Sequence, residues 1–143
     1  MTWGLHTKDT PGMGRILVVD DEEIVRKVLK LTLTEAGYDV VLAEHGGKGI
    51  EAIGSDDNAF MVDVIICDIR MPKINGMEAI AFFRQQYPSV PIIVLTGFPD
   101  TKMATELFSQ GVFDYLVKPM DKDKLLAAVQ AAMARRLALT DNN

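Results

Sequence analysis

Five polar side chains stand where short apolar runs end. Asp20 and Asp21 follow RILVV, Asp68 follows VIIC, Thr96 follows IIVL, and Lys118 follows YLV. Brought to one place, they have a single coherent use. Three clustered carboxylates repel one another unless a hard divalent cation offsets them. Mg2+ (or Mn2+) suits this role, taking one or two carboxylates together with waters and phosphate oxygens. The same cation, with a lysine ammonium and a hydroxyl donor, would offset charge on the oxygens of a phosphoryl group in transfer. Asp68 is then the candidate nucleophile, because a carboxylate can attack phosphorus and form an aspartyl phosphate.

Such convergence needs a fold that gathers strand ends. From Arg15 onward, β-branched runs alternate with helical patterns, and RILVVD, YDVVLAE, VDVIICD, PIIVLTG and VFDYLVK are the five strand candidates. About five helices lie between and after them. The first carries Val25, Val28, Leu29, Thr32 and Ala36 on one face and stops near Gly37; the last carries Leu125, Leu126, Val129, Ala132, Met133 and Leu137 beside Arg135 and Arg136. Strict alternation implies parallel strands joined by right-handed crossovers, and runs apolar on both faces imply helices on each side. The expected fold is therefore an α/β, doubly wound, five-stranded parallel sheet in a single domain. In such sheets ligands sit outside the carboxyl ends of the strands, where the strand order reverses. Residues 1–14 read as a flexible tail, 15–135 as the domain, and 136–143 as the end of the last helix and a C-terminal tail.

Composition narrows the function classes. The chain has 143 residues, 48% hydrophobic and 24% charged, which suits one globular domain with a core. A formal charge of -5 argues against a direct nucleic-acid surface, which needs clustered Lys and Arg. The single cysteine, Cys67, forms no internal disulfide, and the chain opens on no signal-peptide pattern, so the cytoplasm is the expected compartment. No apolar run approaches the roughly 20 residues of a membrane helix. HGGKG at 45–49 lacks the spacing of a phosphate loop and reads as the opening of the second helix. His6 and His45 have no partners at metal-ligand spacing. Cys67 reads as a buried strand residue, its thiolate disfavoured by the neighbouring Asp68.

The DD pair at 20 and 21, the Asp of ICDIRMP at 68, the Thr of LTG at 96 and the KP at 118, in that order, resemble the receiver domain of two-component response regulators, from about Arg15 to Arg135. The resemblance implies the flavodoxin-like strand order 2-1-3-4-5. It implies a CheY-like signalling domain rather than an enzyme, with Asp68 as phosphoacceptor for a phosphohistidine on a sensor histidine kinase or histidine phosphotransfer protein. Asp21 and Asp68 would hold Mg2+, with the backbone carbonyl of Arg70 as a further ligand and Asp20 acting through water. Thr96 and Lys118 would contact the phosphoryl oxygens, and the peptide bond to Pro119 would be cis. Tyr115 would couple its rotation to the movement of Thr96. Its readout would be a switched face made of the fourth helix, fifth strand and fifth helix, offered to a downstream protein target or to a second copy in a homodimer. Arg70 and Phe98 border the site and would tune the lifetime of the phosphoryl group. A free-standing carrier is the expectation for a chain of this length.

Each residue taken singly has an ordinary structural role. Asp20 with Glu23 could form a capping box, Asp68 could belong to a turn built on Pro72, Asn75 and Gly76, and Thr96 and Tyr115 suit any strand. Their joint placement argues for the site. The rival from another class is a haloacid-dehalogenase-type phosphatase, which also uses an Asp nucleophile with Mg2+ but needs a second Asp two residues on, where this chain has Arg70. A dinucleotide or flavin binder would carry a Gly-rich loop after the first strand, where this chain has DDEE.

Overall fold

All five apolar runs form strands in the computed structural model, which describes residues 13–70 and 76–141. The elements follow as β1 (Arg15–Val19), α1 (Glu23–Glu35), β2 (Asp39–Ala43), α2 (Gly46–Ile53), α3 (Asn58–Met61), β3 (Val62–Asp68), α4 (Gly76–Gln86), β4 (Ile92–Thr96), α5 (Thr101–Ser109), β5 (Asp114–Val117) and α6 (Lys122–Asp141). The strands pair in parallel in the order β2-β1-β3-β4-β5. The order reverses between β1 and β3, so Asp20, Asp21 and Asp68 leave the sheet at the crevice where a doubly wound fold binds its ligand.

Strand side chains alternate between two cores. Leu17, Val19, Ile65, Cys67, Ile92 and Val94 pack with Ile53 of α2, Ile80 and Phe83 of α4 and Leu107 of α5. Ile16, Val18, Val64, Ile66, Ile93 and Leu95 pack on the other face with Leu29 and Leu33 of α1 and Leu125 and Val129 of α6. Burial on both faces is why β3 and β4 read as unbroken apolar runs.

The helices depart from their sequence patterns in four places. On α1, Leu29 and Leu33 are buried, whereas Val28 is 53% exposed and lies with Ile24 and Leu31 on an outward apolar stripe. Two apolar stripes on one helix leave periodicity without a means of choosing the core side. Leu137 of α6 is also exposed, and α6 continues through Ala138 and Leu139 to Asp141 instead of fraying after Leu137. Good helix formers carry it on. The four residues of α3 make a sixth helix too short to show a period. Its Asn58 is buried, donating to the Ala52 carbonyl and accepting from Arg15. Asp20 does not cap α1. The N-cap is Glu22, and Asp20 Oδ1 accepts instead from the Glu22 amide at 2.9 Å. His45 does cap α2, its Nδ1 accepting from the Lys48 amide at 3.2 Å, so HGGKG opens that helix as expected. The turn expected at Pro72 and Asn75, like His6, lies outside the described residues. No helix among the described residues is long and apolar enough to cross a membrane.

Candidate functional site

The centre of the site is an ammonium among carboxylates. Lys118 reaches back from the end of β5 and places Nζ 2.9 Å from Asp20 Oδ2, 2.5 Å from Glu22 Oε2 and 3.0 Å from Asp68 Oδ2. It donates hydrogen bonds to Glu22 and Asp68. Asp20 Oδ2 lies out of line for one and is a buried oxygen without a hydrogen-bond donor. The second oxygen of Asp68 accepts from the Arg70 amide at 3.0 Å. Asp20, at 1% exposure, and Asp68, at 4%, are both buried, although each would be an expensive charge to hide. The parallel register explains their depth: Asp68 is the last residue of β3 and pairs with Leu95, inside the sheet's own hydrogen bonding.

Burial sets the ionisation of the cluster. Desolvation pushes the Asp20 carboxyl above the usual range, against the Glu22 amide and Lys118, and the nearby Asp68 charge adds to the rise. For Lys118, burial alone would lower the pKa, but the carboxylates of Glu22, Asp20 and Asp68 around it outweigh that and hold the ammonium firmly charged. Burial, then the charges of Asp68 and Asp20, push the Cys67 thiol far up, consistent with its reading as a buried strand residue.

The other expected residues border this centre. Thr96 is fully buried, pairs with Val117 across the β4–β5 ladder, and accepts from the Phe98 amide at 3.0 Å. The Lys118–Pro119 peptide is cis. Arg70 stacks its guanidinium over the Phe98 ring, 4.6 Å from the centroid. These two close one side of a cleft of about 480 Å3 lined also by Asp21, Glu22, Asp68 and Lys118. Tyr115 is half-buried against the α4/α5 core, and its hydroxyl accepts from the Asp100 amide at 3.2 Å, just before α5. Gly76 is required by the site. A Cβ there would fall 2.2 Å from the Asp68 carbonyl oxygen and 2.3 Å from the Ile69 Cα, so only glycine lets α4 start against the backbone at the end of β3.

An acidic cluster of this kind fits a hard cation. Ligand oxygens of Asp20, Asp21, Glu22 and Asp68 lie within 4.8 Å of one another, and the Lys118 ammonium touches Asp20, Glu22 and Asp68 among them. All the donors are oxygens, the set that suits Mg2+ or Ca2+ rather than zinc or copper. Sequence reasoning did not single out Glu22. The signal was present in DDEE, a third acid at the start of α1.

Comparison with known proteins places these features in a family. The response regulator receiver domain model matches residues 16–130. The transcriptional regulatory protein GlrR of Escherichia coli is 40% identical over 129 residues, which is 88% of this chain and 28% of that protein. The DNA-binding transcriptional regulator NtrC of Proteus hauseri is 36% identical over 84% of this chain and 24% of its own length. This chain thus spans about a quarter of the curated relatives it matches. Among solved structures, a response regulator receiver domain protein of Clostridium thermocellum superposes with a TM-score of 0.82 at 32% identity, over 88% of this chain and 98% of that one. The chemotaxis protein CheY4 of Vibrio cholerae does so with a TM-score of 0.76 at 32% identity, over 84% and 98%. With the fold, the strand order and four-fifths of the sequence in agreement, the chain belongs to the response regulator receiver domain family of two-component signalling.

Proposed function

We propose that Asp68 is the phosphoacceptor of this receiver and takes its phosphoryl group from a phosphohistidine on a sensor histidine kinase or histidine phosphotransfer protein. The observation that carries this reading is the buried Asp68 carboxylate held at 3.0 Å by Lys118 inside an acidic cluster at the sheet's switch point. The Arg70 amide fixes one oxygen of Asp68, which leaves Oδ2 on the Lys118 side as the attacking atom. As the new P–O bond forms, the P–N bond to the donor imidazole breaks. Lys118 would then bind a phosphoryl oxygen in place of the carboxylate, and Thr96 would turn its hydroxyl from the Phe98 amide to another. Asp21, Asp68 and the backbone carbonyl of Arg70 would hold Mg2+ (or Mn2+), with Asp20 acting through water. When bound, the cation offsets the negative charge that the cluster and the incoming phosphoryl group would otherwise bring together.

The output follows from population shift: the phosphoryl group favours the conformer with Thr96 drawn in, and Tyr115 turns with it. In the present element numbering the switched face is α5, β5 and α6. The hydrogen bond from the Asp100 amide to the Tyr115 hydroxyl ties that aromatic to the start of α5 and supports the coupling. We read the chain as a cytoplasmic signalling domain, residues 15–135, rather than an enzyme with its own substrate, acting on a downstream protein or through a homodimer of the α5–β5–α6 face. Incubation with acetyl phosphate and Mg2+ followed by intact mass spectrometry tests the reading. The native chain should gain one phosphoryl group and Asp68→Asn none; a native chain labelled neither by acetyl phosphate nor by a kinase refutes it.

A further inference from the structure

Glu22 holds an unusual position for a surface acid. It is the N-cap of α1, where a short polar side chain ordinarily accepts from a first-turn amide, yet its carboxylate makes no capping bond. It reaches instead to Lys118 Nζ at 2.5 Å, shorter than the contacts of Asp20 or Asp68. An ammonium has three donors. Two of them go to Glu22 and Asp68, and Asp20 Oδ2 crowds the same ammonium at 2.9 Å, so a phosphoryl oxygen on Asp68 must compete with the surrounding carboxylates for it. Asp20 cannot readily go, being 1% exposed and fixed through Oδ1 to the Glu22 amide. Asp68 is itself the phosphorylated group. Glu22 is 55% exposed on a flexible stem, and only its carboxylate can swing into water at little cost.

Resting on the phosphoacceptor reading, we propose that Glu22 is a positioning residue that clamps Lys118 in the resting state and competes with the phosphoryl group for its ammonium. Shortening the side chain should then free Lys118 without changing the charge of the cluster. Glu22→Asp keeps the charge and loses the reach, Glu22→Gln loses the charge, and Glu23→Gln removes a neighbouring charge that pairs at 4.0 Å with Lys27.

The test is calorimetric titration of beryllofluoride, a tetrahedral phosphoryl analogue, at saturating Mg2+. Glu22→Asp and Glu22→Gln should each bind it about two- to fivefold more tightly than the native chain, the range expected for releasing a half-exposed ion pair, with Glu23→Gln unchanged. A Glu22→Asp protein that matches the native one, or a Glu23→Gln protein that gains as much as Glu22→Gln, overturns the clamp in favour of plain charge. A second measurement stands apart from phosphoryl chemistry. The Lys118 ammonium protons should exchange slowly with water in the native protein by NMR and quickly in Glu22→Asp; equal exchange also overturns the proposal. Failure of native protein to bind beryllofluoride counts against the phosphoacceptor reading, while proton exchange still decides the clamp.

Discussion

Replacing Lys118 with Met removes the ammonium while keeping most of the apolar stem, and the cost should expose how the acidic cluster is held together. Removing one partner of a fully buried ion pair costs about 3–5 kcal/mol, because the remaining charge is left without a countercharge. Here the figure is smaller. Glu22 is half exposed and loses almost nothing, and the Lys118 side chain is itself 12% exposed. Asp20 and Asp68 each keep one backbone hydrogen bond, from the Glu22 and Arg70 amides. About 2–3 kcal/mol is therefore expected for the metal-free protein at pH 7.5. Urea unfolding followed by circular dichroism would read this as a midpoint lowered by about 1–1.5 M at a typical slope for a domain of this size. Two conditions should shrink the loss. Saturating Mg2+ supplies a cation to the same carboxylates, and lowering the pH protonates Asp20. The sign is fixed by burial: a carboxyl whose folded pKa is raised binds more protons folded than unfolded, so its penalty is present at neutral pH and fades as pH falls through the raised value. If Lys118→Met is as stable as the native protein without metal, or if Mg2+ and acid leave its loss unchanged, the ammonium is not what balances the cluster.

Other expectations follow from single contacts. Gly76→Ala should destabilise by about 1–3 kcal/mol by urea titration and lower acetyl phosphate labelling, because the new methyl meets the backbone of Asp68 and Ile69, which cannot yield as a side chain would. Native Cys67 should not react with a thiol reagent at pH 8 and should react at once in denaturant, since its thiol is buried and its thiolate is disfavoured by burial and by Asp68; reaction in the native state would contradict its place in β3. Dephosphorylation should change in Arg70→Ala and in Phe98→Ala. The double variant should add little to either, since the stacked pair covers the cleft as one unit; unchanged rates in both single variants remove the idea. His45→Ala should cost about 1 kcal/mol of stability, through loss of the α2 cap, with no effect on labelling.

The site was legible in the sequence because its residues sit at the ends of strands, and strands fully buried on both faces announce themselves as apolar runs. Once VIIC and IIVL are read as such strands, alternation with helices imposes a parallel sheet, and a parallel sheet sends all its carboxyl ends to one edge. That step alone brings together Asp20, Asp21, Asp68, Thr96 and Lys118. Glu22 escaped because its part depends on which rotamer a surface side chain adopts, and no spacing encodes that. Val28 misled for a related reason: α1 carries apolar residues on two faces, and only contact with the sheet selects Leu29 and Leu33 for the core.

Period, punctuation and strand-end chemistry, all local properties of the chain, determined the fold class and which polar groups gather at the sheet's carboxyl edge. Tertiary structure alone decided how three carboxylates share one ammonium, that Asp20 is left with a buried oxygen lacking a donor, and that Arg70 lies across Phe98. These are matters of distance between residues far apart in sequence, such as the 96 positions separating Glu22 from Lys118, and the crossing of the chain through space sets them.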